Sequence, residues 1–279
     1  MKISLRYLFT AILLLALLNS CRWISTGGTE IIRIKGSDTM LKLARTWAAE
    51  YMETHSGVSI YVEGGGSATG LKSLAAGTAD IALASRLINS SEIRLLGERY
   101  KQLGVNFLVA KDALSVYLNP ENPVSDLSMD QLRDIFSGHI TNWKQVGGFD
   151  EEIVVVLRPP TSGSYYYIKS YVLDNDAYTK NAVTMPTTNS VSRYISKNKN
   201  AIGYGGIAHE LKIKHSHING VAAVEENVRF FKYPLTRYLY LYTPGKPQGA
   251  IKDFIDWVLS PSGQRIVREM GFMPLWEEQ

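Results

Sequence analysis

An α/β fold is what this sequence predicts, and three observations predict it. Short β-rich runs alternate with stretches whose apolar residues recur at helical spacing. The turns that join a run to the next helical stretch are rich in glycine and serine. Three of those turns sit where a strand would hand over to a helix, at 36–39, 64–70 and 161–164. Repetition of strand, turn and helix argues for a sheet of largely parallel strands covered by helices. Folds of that kind gather ligands at the carboxyl ends of their strands.

The elements follow in order. Residues 30–35 form a β-rich run, and Gly36-Ser37-Asp38-Thr39 leads into a helix pattern with Met40, Leu43, Ala44, Trp47, Ala48 and Tyr51 on one face. Ser37 and Asp38 are both suited to its N-cap. A second strand at 59–63 meets the loop Gly64 to Gly70, and a helix over 71–76 stops at Gly77. A third strand, 80–84, ends at Ser85-Arg86. Residues 92–103 read as a helix closed by Gly104, and 107–110 and 114–118 as two extended apolar runs. Ser128 and Gln131 make a capping box for a helix over 129–136. The buried-strand pattern 153–157 feeds Arg158. Residues 189–197 predict a helix, 201–204 a strand before Gly205-Gly206, and 237–242 another strand. Ile251, Phe254, Ile255, Val258 and Leu259 form a helical stripe, and Pro261 opens the last helix at its favoured first position. No internal repeat, low-complexity segment or linker-like break in composition interrupts the chain.

The chain has 279 residues, 45 % of them hydrophobic and 20 % charged, which is the composition of a globular protein. Its length corresponds to about two domains. The net charge is +4, and Lys2 and Arg6 contribute to it from a segment expected to be removed. The remaining balance gives no reason to expect nucleic acid as a partner.

The first 21 residues read as a targeting segment. Lys2 and Arg6 precede an apolar stretch, Leu8 to Leu18, that is shorter than the roughly 20 residues needed to span a bilayer. Leu18-Asn19-Ser20-Cys21 resembles a bacterial lipobox, with Asn19 a less usual occupant of its position. That resemblance implies cleavage before Cys21, acylation of its thiol, and a tether over 22–29. The alternative is a stray thiol beside an ordinary cleavage site. Cys21 is the only cysteine, so no intrachain disulfide is possible.

Arg158 and the turn Thr161-Ser162-Gly163-Ser164 carry the clearest chemistry. Amides at a helix start point outward with partial positive charge, and a guanidinium supplies a planar fork of donors suited to tetrahedral oxyanions. The first loop offers the amides of Thr39 and Met40 and the Thr39 hydroxyl. The second offers Ser67 and Thr69 but lacks the Gly-Lys-Ser/Thr ending of a Walker loop. Ser85 and Arg86 follow the third strand. Each loop taken alone is also compatible with an ordinary cap, a flexible turn or a solvated arginine, and Arg158 with a surface ion pair. Together they suggest a cage for a small oxyanion. His209, His215 and His217 lack supporting cysteines or a carboxylate pair, so a solvated loop is expected there and no metal site. No catalytic signature stands out.

With these residues in view, the chain resembles the phosphate-binding proteins of bacterial ABC importers from about residue 30 to 275. Gly36-Ser37-Asp38-Thr39-Met40 matches the family's first phosphate loop and Gly66-Ser67-Ala68-Thr69-Gly70 its second. Arg158, Ser162, Gly163 and Ser164 match its arginine element, with Ser164 in place of threonine. Stretches at 132–138, 142–143, 201–204 and 253–261 recur in the family's order. Many members carry an aspartate after the third strand's Ala-Ser that accepts a hydrogen bond from protonated phosphate. Arg86 stands there instead, and Asp38 is the nearest substitute acceptor.

The resemblance implies a two-lobe periplasmic-binding-protein fold of type II, each lobe a mixed sheet flanked by helices, joined by a hinge of two crossing segments. One lobe would hold 30–111 with 238–279, and the other 112–237. Thr39, Met40, Ser67, Ser85 and Arg86 would meet phosphate from the first lobe, and Arg158, Ser162, Gly163 and Ser164 from the second. It also implies an extracytoplasmic, lipid-anchored, monomeric carrier. That carrier would use no cofactor and would deliver inorganic phosphate to a transporter permease. A phosphate-sensing lipoprotein, a binder of sulfate, arsenate or molybdate, and an enzyme acting on phosphate esters are the alternatives.

Overall fold

The computed structural model describes residues 29–208 and 212–276. The targeting segment, the lipobox with Cys21 and His209 lie outside the described residues. Among those described, no helix is long and apolar enough to cross a membrane.

The first half of the structure begins with β1 (Glu30–Gly36), α1 (Leu41–Thr54), β2 (Val58–Glu63), α2 (Ser67–Ala76), β3 (Ile81–Ala84) and α3 (Ser90–Tyr100). The long strand β4 (Val105–Leu118) then leads to β5 (Asp126–Leu127), α4 (Met129–Ser137), a 3-10 turn (Trp143–Val146), β6 (Val154–Leu157) and α5 (Gly163–Tyr171). After β7 (Val183–Thr184) come α6 (Thr188–Lys197), β8 (Ala201–Gly206), β9 (Lys214–Ile218) and α7 (Glu225–Arg229). The strand β10 (Thr236–Thr243) returns to the first half, which α8 (Gly249–Leu259) and α9 (Pro261–Glu269) complete.

The strands run in the order β2-β1-β3-β10-β4-β8-β6-β7, with β9 alongside β4 and β5. Parallel pairs occupy both flanks, but β10 and β4 run antiparallel to their neighbours in the middle. The sheet is therefore mixed rather than largely parallel, because β4 and β10 are crossing strands and not members of a βαβ unit. Strand β4 pairs with β10 up to Ala113 and with β8 from Leu114 onward. On one side of this change Ile34, Trp47, Leu83, Leu239 and Phe254 centre one core. On the other, Val116, Leu132, Phe136, Ile202 and Tyr204 centre a second. Two lobes on two crossing strands make up the fold.

Several local differences from the sequence reading have plain causes. The runs at 107–110 and 114–118 are one strand, since Asp112, which breaks the apolar pattern, is matched by Arg237 on β10. Asn89 starts α3 earlier than residue 92 through a capping box with Glu92, and Lys101 ends it in a left-handed conformation before Gly104. Helix α2 starts at Ser67, so Ser67 and Thr69 lie in its first turn. His215 and His217 belong to β9, not to a loop. The box of Ser128 and Gln131 and the Pro261 start are both present.

Candidate functional site

Three loops of the first lobe are bonded into one platform. The Ser37 amide donates to the Leu83 carbonyl (2.9 Å), which lays the β1–α1 loop over the end of β3. The Gly66 amide donates to the Gly36 carbonyl (2.9 Å), and Asp38 Oδ1 accepts from the Gly65 amide (2.9 Å). Ser67 Oγ accepts from the Ser85 amide at 3.1 Å and lies 3.4 Å from Ser85 Oγ. Ser37, Thr39, Met40, Ser67 and Ser85 are all buried, and the Met40 amide turns back to the Ser37 carbonyl (3.1 Å).

The second lobe meets this platform at the start of α5. Gly66 holds φ +92, and a Cβ there would fall 2.4 Å from the Thr161 carbonyl oxygen, so only glycine fits. The Ala68 amide, in the first turn of α2, donates to that same carbonyl (3.1 Å). A Cβ on Gly163 would sit 2.3 Å from Ser67 Oγ and 2.4 Å from Ser85 Oγ. The starts of α2 and α5 thus approach one another with hydroxyls between them. Neither start, nor that of α1, has a side-chain cap. Helices α3, α4 and α6 are closed by the full capping boxes of Asn89, Ser128 and Thr187, while α7, α8 and α9, away from the three loops, also lack a side-chain cap. Orphan helix-start amides with partial positive charge are suited to an anion.

Arg158 lies beside this junction, 1 % exposed. Its Nη2 donates to Asp38 Oδ2 (2.7 Å) and to the Pro186 carbonyl (3.0 Å), and its Nη1 to Thr188 Oγ1 (2.8 Å). Nε is buried without a partner among the described residues. Burial pulls the guanidinium pKa down from its ordinary value, and Asp38 pushes back. Ser162 and Ser164 are buried, and Ser164 Oγ accepts from Arg237 Nη1 (3.0 Å). Arg237 in turn grips the fully buried Asp112 through Nε (3.0 Å) and Nη2 (2.8 Å). Burial raises the Asp112 pKa against the opposing pull of Arg237.

Ser67, Ser85 and Gly163 are brought together directly. Ser162 lies against Gly66, Thr39 against Gly206, and Arg158 reaches the first loop through Asp38. The side chain of Arg86, expected to add donors to the cage, turns to a carboxylate in this structure. Its Nη1 and Nη2 bind Glu92 Oε2 and Oε1 (2.8 and 2.6 Å), and its plane covers Tyr166 at 4.8 Å. Glu92, in the first turn of α3, holds both terminal nitrogens of that guanidinium. Sequence reasoning missed Asp112, Thr188 and Tyr204, and read Arg237 only as the start of a strand. Tyr204 accepts from the Arg158 amide (3.3 Å).

A surface cleft of about 600 Å³ touches the first loop at Asp38 and Thr39 and is lined further by Lys42, Arg45, Glu50, Asn189 and Ala208. It draws on both lobes, and its lining balances Lys42 and Arg45 against Asp38 and Glu50. Among the described residues no group of three or more metal-ligating side chains gathers.

Residues 24–262 match the family described as the PBP superfamily domain. The phosphate-binding protein PstS of Bacillus subtilis is 33 % identical over 88 % of this chain and 80 % of its own length. PstS of Borreliella burgdorferi is 27 % identical over 92 % and 94 %. A phosphate ABC transporter substrate-binding protein from Clostridium perfringens, solved with bound phosphate, superposes with a TM-score of 0.81. It is 28 % identical and covers 88 % of this chain and all of its own. An ABC-type phosphate transport receptor from Vibrio cholerae gives 0.73 at 28 % identity, covering 87 % and 99 %. The chain belongs to the periplasmic-binding-protein superfamily and, within it, to the family of phosphate ABC transporter substrate-binding proteins. That family is one of solute binders and not of enzymes.

Proposed function

We propose that this chain captures inorganic phosphate between its two lobes and delivers it to the permease of an ABC importer. One observation carries the reading: the uncapped starts of α2 and α5 face each other across Ser67, Ser85 and Gly163, with buried Arg158 at their edge. The phosphate would take donors from Thr39, Ser67 and Ser85 of one lobe, with the Met40 amide shared between the ion and the Ser37 carbonyl, and from Arg158, Ser162, Gly163 and Ser164 of the other. Arg86 supports the third loop through Glu92 and does not touch the ion. One lobe would comprise 30–111 with 238–279 and the other 112–237, a division close to the point between Ala113 and Leu114 where β4 changes partner.

Magnitudes support a site without a metal. Hydrogen bonds to a charged group contribute roughly 1.5–3 kcal/mol each. Micromolar affinity needs only about −8 kcal/mol, so six to ten donors leave room for desolvation and closure costs. The carrier works outside the cytoplasm as a monomer, held to the envelope by an acylated Cys21.

A thermal-shift series with phosphate, sulfate, arsenate and molybdate tests the function. Phosphate at 100 times its dissociation constant adds about 2.7 kcal/mol of stability. A series in which phosphate gives no shift, or sulfate or molybdate gives the larger one, contradicts the assignment.

A further inference from the structure

Strand β10 holds the start of α5 at two points. Arg237 donates through Nη1 to Ser164 Oγ (3.0 Å), and Tyr167 donates through its hydroxyl to the carbonyl of Thr236 (3.1 Å). Ser164 and Tyr167 are three apart on α5 and share a face, and Thr236 and Arg237 are adjacent on the strand. The Arg237 guanidinium also covers the Tyr167 ring at 5.8 Å. Its other side is fixed by Asp112, its direct partner in the β4–β10 register, through two bonds to Oδ2. Asp112, Arg237 and Ser164 are 0 %, 4 % and 1 % exposed, so this chain of contacts is sealed from water.

The position of the pair is what gives it a role beyond packing. Asp112 and Arg237 join the two crossing strands one residue before β4 changes partner from β10 to β8. The same arginine reaches a serine in the first turn of the helix whose start faces the junction. A serine oxygen that accepts from a guanidinium keeps its own proton to donate. Among the described residues no acceptor for that proton is found.

We infer that Arg237 is a positioning residue for the anion site. Held by Asp112, it occupies one lone pair of Ser164 Oγ and leaves the hydroxyl proton to turn toward the bound anion, tying the crossing strands to the start of α5. This rests on the phosphate reading above. It concerns residues that do not themselves touch the ion, Asp112 and Arg237, and the orientation of one that does.

The test is calorimetry with inorganic phosphate on the wild type, S164A, R237M, R237K and the double variant R237M/S164A, with melting temperatures alongside. S164A and R237M are each expected to weaken binding about tenfold, and the double variant to be no more than about threefold weaker than the weaker single, because both act through one hydroxyl. R237K recovers part of the affinity that R237M loses. A structural role alone would lower the melting temperature without this non-additivity. S164A with unchanged affinity overturns the inference whether or not the arginine variants fold, and so does a double variant whose loss equals the product of the singles. A wild type that takes up no phosphate overturns the functional reading, and this inference with it.

Discussion

Arg158 and Asp38 meet across the two lobes. Nη2 of the arginine, at the end of β6, lies 2.7 Å from Oδ2 of the aspartate in the β1–α1 loop, and the other aspartate oxygen holds the Gly65 amide. The pair is 1 % and 15 % exposed. Asp38 therefore opposes the charge of Arg158, and helix-start amides and hydroxyls are left to face an anion. Removing one partner of such a pair leaves the other charge buried. Asp38→Asn should lower phosphate-free stability by about 3 kcal/mol in urea denaturation. Saturating phosphate should then stabilise the variant more than the wild type, since the ion supplies Arg158 with a counter-charge. Equal stabilisation of both proteins would show that Arg158 does not reach the ligand.

Gly163 is where the start of α5 meets the loops of Ser67 and Ser85. A methyl there would lie 2.3 Å from Ser67 Oγ and 2.4 Å from Ser85 Oγ. Gly163→Ala is therefore expected to weaken phosphate binding at least about tenfold, roughly 1.4 kcal/mol, by holding the helix starts apart. Alanine suits a helix, so the phosphate-free melting temperature should stay within a few degrees. Calorimetry showing wild-type affinity would mean that the two loops need not touch.

Arg86 separates stability from binding. Its bidentate pair with Glu92 is buried on both sides, at 5 % and 6 % exposure. Arg86→Ala should cost about 3 kcal/mol of stability by leaving Glu92 unpaired. Its effect on phosphate affinity should be smaller than that of Arg158→Ala. An affinity loss equal to that of the Arg158 variant would return Arg86 to the cage.

His215 gives the protein a pH signature outside the site. Its Nδ1 lies 2.8 Å from Ser115 Oγ, and burial lowers its pKa below the ordinary 6.5. A depressed folded pKa means that the unfolded chain binds the proton first. The associated stability is therefore complete above about pH 6.5 and is lost as pH falls from there through the folded value. Denaturation midpoints between pH 7.5 and 5 should decline in the wild type and decline less in His215→Asn. Parallel curves would remove His215 from the account.

How far the sequence disclosed this site depended on chain distance. The loops at 36–39, 64–70 and 161–164 were legible because glycine, serine and arginine cluster at strand-to-helix junctions. Those features are local, and so were the capping box at Ser128 and the start at Pro261. The Asp112–Arg237 pair spans 125 positions, and neither residue shows its partner in sequence. Asp112 looked like a break between two strands because the carboxylate that interrupts the apolar run is matched only after β10 returns. The side-chain partner of Arg86 was hidden for the opposite reason. Its partner lies only six residues on, but Glu92 reaches it by way of the helix cap at Asn89. Lys214 to Ile218 escaped notice as a strand because its polar residues are acceptable only beside β4.

The central claim is that donors from opposite lobes share one phosphate ion, with Arg158 the charged member. Titration of inorganic phosphate into wild type and Arg158→Ala by calorimetry tests it most directly. The account predicts one ion per chain and a loss of about 2–5 kcal/mol in the variant, with Asp38 left facing the ligand unopposed. Equal affinity in the two proteins would contradict it.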